Sequence, residues 1–96
     1  MSMLETVVAK IISEQELVIG PLAWSEAAKV HGLMVDIQKK EVRISDGYPT
    51  VTVDHLVARY ERLFGPASRE VCLDAAATLI KDMSPADIPT SLRASA

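Results

Sequence analysis

The strongest constraint in this chain lies between Thr50 and Met83, where two apolar stripes at helical spacing are separated by Phe64-Gly65-Pro66. Leu56, Val57, Tyr60, Leu63 and Phe64 form the first stripe. Val71, Cys72, Ala75, Ala76, Leu79 and Ile80 form the second. Gly65 is suited to end one helix in a left-handed conformation. Pro66 is suited to open the next at its first position, where the missing N–H leaves no hydrogen bond unmade. This region predicts two helices packed through apolar faces. It specifies packing and carries no arrangement of reactive groups.

The N-terminal segment has the same character. Ser2-Met3-Leu4-Glu5 has the Ser-x-x-Glu form of a capping box. Leu4, Val7, Val8, Ile11 and Ile12 follow at i, i+3, i+4, i+7 and i+8, which predicts an amphipathic helix to about Gln15. Gly20-Pro21 forces a turn, and a second helix is expected from Pro21 to a glycine stop at Gly32. From Met34 to Ser45 the period changes to two. Val35 and Ile37, then Val42 and Ile44, alternate with polar residues, as strands with one buried face do. The polar residues 38–41 form the expected hairpin tip. Thr50 to Val53 is compatible with a third strand or an extended lead-in, with Thr52 or Asp54 capping the helix that follows. His55 then falls in the first turn of that helix.

The expected architecture is α+β: four amphipathic helices in the order α-α-β-β-(β)-α-α, packed with an antiparallel hairpin or three-stranded sheet. Residues 1–88 are expected to form one domain, and the small polar residues 89–96 a flexible tail. With 49% apolar residues and only 4% aromatic, the core must be largely aliphatic.

Composition excludes several classes of function. The formal charge is −3 with both signs interspersed, which disfavours broad binding to nucleic acid or an anionic membrane. Leu17 to Ser25 is the longest charge-free apolar stretch and is far below the ~18 residues of a membrane span. A single cysteine, Cys72, permits no internal disulfide and suits a reducing cytoplasm.

Chemistry-bearing residues are sparse. His31, His55 and Cys72 fall in different expected elements, without the spacing of a zinc site. No nucleophile sits on a glycine-flanked elbow, and the four glycines are isolated rather than gathered in a phosphate loop. The sequence therefore predicts no catalytic residue, cofactor or metal. It is read as a small cytoplasmic interaction or adaptor protein, binding a protein partner or itself. Leu4, Val8 and Ile11 on the N-terminal stripe, together with Trp24 and Tyr48, are the expected interaction surface, with the stripe forming a homodimer.

Two alternatives come from other classes. Trp24 to Leu33 resembles the first helix and turn of a helix-turn-helix, which makes residues 22–43 the candidate segment of a DNA-binding regulator. The match weakens after Gly32. An apolar residue belongs six positions later, yet Gln38 stands there and Ile37 comes one position early. The other alternative is a small-ligand sensor with its pocket near Trp24 and Tyr48.

Overall fold

Ser2 opens the first helix as its sequence requires. Its hydroxyl accepts the Glu5 N–H at 3.2 Å, and the Glu5 carboxylate accepts the Ser2 N–H at 2.9 Å. The computed structural model describes residues 2–45 and 47–93. In it α1 spans Met3–Ile19, a turn longer than the stripe implies, and stops at Gly20 with φ +76°. The other Glu5 carboxylate oxygen accepts the Ile44 N–H at 2.9 Å and so ties the start of α1 to the hairpin.

The second helix, α2, is short. It spans Leu22–Ala27, and turns carry the chain through the buried Val30 to Gly32 at φ +87°. Strands β1 (Leu33–Asp36) and β2 (Glu41–Ile44) pair antiparallel, with Leu33 opposite Ile44 and Val35 opposite Val42. These four apolar residues share the inward face. Met34, Asp36, Glu41 and Arg43 point outward, as a period of two demands. Asp36 holds the tip by accepting the Lys39 N–H at 3.1 Å.

The third helix, α3, spans Pro49–Phe64, and α4 spans Pro66–Ile80. Gly65, at φ +93°, donates its N–H to Glu61 at 2.8 Å, and Pro66 begins α4. Among the described residues there is no third strand. Pro49 supplies a helical φ at the first position, and Val53 extends the inward stripe of Leu56, Val57 and Tyr60 by one turn. Neither Thr52 nor Asp54 caps this helix, and its early start places His55 beyond the first turn.

The fold is therefore α+β, four helices with a two-stranded hairpin in the order α-α-β-β-α-α. Helix α1 is central. It packs against α4, α2, α3 and β2. Gln15, near its end, donates to the Ser68 carbonyl in the first turn of α4 at 2.8 Å, and Leu4, near its start, shares a hollow with Asp82 and Met83 just past the end of α4, so the two helices run antiparallel. Tyr60 bridges α3 to α2, its hydroxyl donating to the Ala23 carbonyl at 2.6 Å.

The segment expected to be a tail from Pro89 behaves otherwise as far as Arg93. After a 3₁₀ turn at Pro85–Asp87, a second at Thr90–Leu92 packs on α3 and α4. Leu92 is only 1% exposed. Asp54 accepts hydrogen bonds from the Ser91 N–H, at 2.9 Å, and from the Ser91 hydroxyl. Burial of Leu92 and the partly buried Ile88, together with the Asp54–Ser91 hydrogen bonds, opposes the entropy cost of ordering this segment. Residues 94–96 of the expected tail lie outside the described residues.

Candidate interaction surface

The residues expected to form an interface fall in three different places. Val8 and Ile11 are fully buried, together with Val7 and Ile12, and Leu4 is partly buried against the same core. This corrects the expected dimer stripe. Helix α1 is enclosed by four neighbouring elements, so its apolar face is consumed inside the subunit. Trp24 is also core at 2% exposure, its indole N–H donating to Glu16 at 3.0 Å. Tyr48 alone is well exposed, at 71%. Neither Trp24 nor Tyr48 lines any of the grooves described below.

Two ion-paired carboxylates stitch the elements together. Glu16 takes the Trp24 indole and Lys40, the latter at 3.0 Å, and joins α1 to α2 and the hairpin tip. Its carboxyl is held below the ordinary range by the Trp24 bond first and by Lys40 second. Glu26 accepts from Lys29 at 3.0 Å and from the Arg59 guanidinium at 2.9 Å, joining α2 to α3, and is lowered likewise by Lys29 and then Arg59. Lys29 and Arg59 help to line a shallow hollow of about 220 Å³ with His31, His55 and Arg62. Glu26 neutralises part of that basic character.

Cys72 is fully buried, and burial pushes its thiol up to about 11. Gln15 donates to its sulfur at 3.3 Å, while the Gln15 carbonyl oxygen is buried without a hydrogen-bond partner. A thiol enclosed in this way is protonated at neutral pH and shielded from substrates. Among the described residues, no group of three His, Cys, Asp or Glu side chains is arranged to hold a metal ion. Nor, among them, is any helix long and apolar enough to cross a membrane.

Residues 22–43, the expected helix-turn-helix, contain α2 and most of the β-hairpin. The segment has no second helix to enter a groove of DNA. The physical reason is its alternating pattern, which buries one face as strands.

Two grooves with largely apolar walls flank α4. Between α4 and the C-terminal 3₁₀ turns runs an open groove of about 790 Å³. Leu73, Ala77, Ile80, Met83, Ile88 and Leu92 supply its apolar lining. Glu70 stands towards one end, Asp74 near the middle and Lys81 at the other end, where Arg93 donates to the Pro85 carbonyl at 3.2 Å. On the opposite flank of α4 a second groove is formed by Val71, Asp74 and Ala75 with Leu17 and Val18 of α1. Leu17 is 81% exposed and Val18 64%. Asp74 borders both grooves, and the exposed Glu70, Asp74, Ala77 and Lys81 form the ridge between them.

Sequence inspection missed this face for an identifiable reason. Helix α4 carries apolar or small residues on more than one side, a pattern that belongs to helices covered all round. The surplus was visible, yet the direction of the core side was not. Comparison with family models, with curated proteins and with solved structures gives no match.

Proposed function

We propose that this protein is a non-catalytic interaction module whose docking face is the outer side of α4 and the two grooves flanking it. The observation that carries the proposal is the pair of apolar-walled grooves on the two flanks of α4, separated by the exposed ridge of Glu70, Asp74, Ala77 and Lys81. Leu17 and Val18 stand in solvent beside one groove, and Leu73, Ala77 and Ile80 line the other. Apolar grooves bordered by charged residues are a usual mark of a protein contact.

The chemistry of the face specifies its occupant. A helix laid along α4 meets apolar walls on both flanks, Glu70 towards one end, Asp74 near the middle and Lys81 at the other end. The fitting partner is an α-helical protein segment with an apolar or small-residue face and charges running in the reverse order. The lack of catalysis is part of the proposal, supported by the shielded Cys72 thiol and the use of Glu16 and Glu26 as structural ion-pair acceptors. A cytoplasmic setting is proposed on the single, unpaired cysteine.

Native mass spectrometry of the full chain from its own cells tests the reading, with the variant Ala77→Arg as comparison. Ala77 is exposed on the ridge of α4, so arginine there obstructs docking while leaving the core untouched. A discrete complex that the variant loses is the expected result. A bare monomer from wild-type cells, or a complex indifferent to Ala77→Arg, refutes the assignment.

A further inference from the structure

We infer that the occupant of this face is a second copy of the chain, with the two α4 helices packed antiparallel about a twofold axis. The inference rests on the docking reading above and names its partner. Its basis is the outer stripe of α4. Glu70, Asp74, Ala77 and Lys81 follow at intervals of four, three and four residues, which places them on one helical face. All four are exposed, and this stripe lies opposite the buried Ser68, Cys72, Ala75 and Ala76.

That spacing reads the same in both directions. When a second α4 is reversed and centred between Asp74 and Ala77, Glu70 of each copy lies opposite Lys81 of the partner subunit, and Asp74 lies opposite Ala77 of the partner subunit. Two cross-helix ion pairs form, one at each end. None of Glu70, Asp74 and Lys81 makes an ion pair within the subunit among the described residues. The small Ala77 side chain leaves room for Asp74 of the partner subunit at the centre, at a spacing within the ~8–10 Å range for packed helices. Leu73 and Ile80, on the groove flank, come near Ile80 and Leu73 of the partner subunit. The reversed charge order required of a partner is thus met by this chain itself, and an isologous pairing closes without leaving an open end.

The interface is a modest one. A 15-residue helix is ~22 Å long, so α4 needs its flanking grooves to approach the ~1,200 Å² lower end of stable complexes. A dimer in the micromolar range, weakened by salt, is expected.

Sedimentation equilibrium of the purified full chain from ~1 to 200 µM tests the pairing by charge exchange. Glu70→Lys places like charges opposite each other at both ends, and so does Lys81→Glu. Each is expected to raise the dimer Kd about tenfold. The double variant Glu70→Lys/Lys81→Glu restores opposite charges and is expected to recover most of the wild-type affinity. Circular dichroism confirms that every variant keeps its helix content, since all three changes are on the exposed face. A wild-type monomer throughout the range overturns self-pairing. A dimer insensitive to either single exchange, or not recovered by the double, overturns the antiparallel α4 geometry. A monomer in this experiment beside an Ala77-dependent complex with another protein in native mass spectrometry rejects the second copy and leaves the docking face standing. Loss of both removes both readings.

Discussion

Two leucines separate the structure from simple expectation, and replacing each by alanine gives opposite results. Leu92 lies in the last described turn, in a stretch of small polar residues, yet is 1% exposed against α3 and α4. Removing it forfeits about 2 kcal/mol of apolar transfer and leaves a void. Buried leucine-to-alanine changes cost about 2–5 kcal/mol overall. A short 3₁₀ turn near a chain end relaxes more readily than a helix in mid-core, so about 3 kcal/mol is expected for Leu92→Ala. A domain of 96 residues has an unfolding entropy near 0.2 kcal/mol/K, so this loss lowers Tm by ~15 °C. Total stability is on the order of 5–14 kcal/mol for a chain of this size, which keeps the variant folded at room temperature. Leu17 is 81% exposed, and Leu17→Ala is expected to change stability by less than about 0.5 kcal/mol. Urea unfolding followed by circular dichroism, run at a concentration low enough to keep any complex dissociated, measures both. A cost below ~0.5 kcal/mol for Leu92→Ala, or a larger cost at Leu17 than at Leu92, refutes the docking of the C-terminal turn.

The carboxylates set the response to acid. Glu5 is lowered from 4.5 by the Ser2 backbone N–H and then by the Ile44 N–H, and Glu16 and Glu26 are lowered by the partners described above. A depressed folded-state value adds stability that is present above about pH 4.5 and is lost as pH falls through it. Urea midpoints are therefore expected to stay level from pH 7 to about pH 5 and to decline below 4.5; equal midpoints at pH 3 and pH 7 contradict this. Cys72, buried and raised to about 11, is expected to react with a thiol reagent at pH 8 only through unfolding, at a rate that rises with urea. Complete labelling within the mixing time of the native protein argues against its enclosure between α1 and α4.

How much of this molecule is legible in its sequence depends on the range of the interactions involved. Ser2 with Glu5, Gly65 with Pro66, and the alternation from Leu33 to Ile44 all act within a few residues. Capping, left-handed φ and strand period are local physics, and the sequence determined them. The same locality explains one miss. Thr50 to Val53 is rich in β-branched residues, and only the convergence of Val53 with Leu56, Val57 and Tyr60 on the core draws it into α3. The surface was decided at longer range still. Several faces of this chain are apolar enough to be either core or interface, and their residue types are alike. Tertiary packing chose among them. It enclosed the Leu4 to Ile12 stripe and Trp24, seated Leu92 against α3 and α4, and left Leu17 and Val18 in solvent. Burial is a property of which faces meet, and that follows from the relative placement of whole helices, which no short window of sequence encodes.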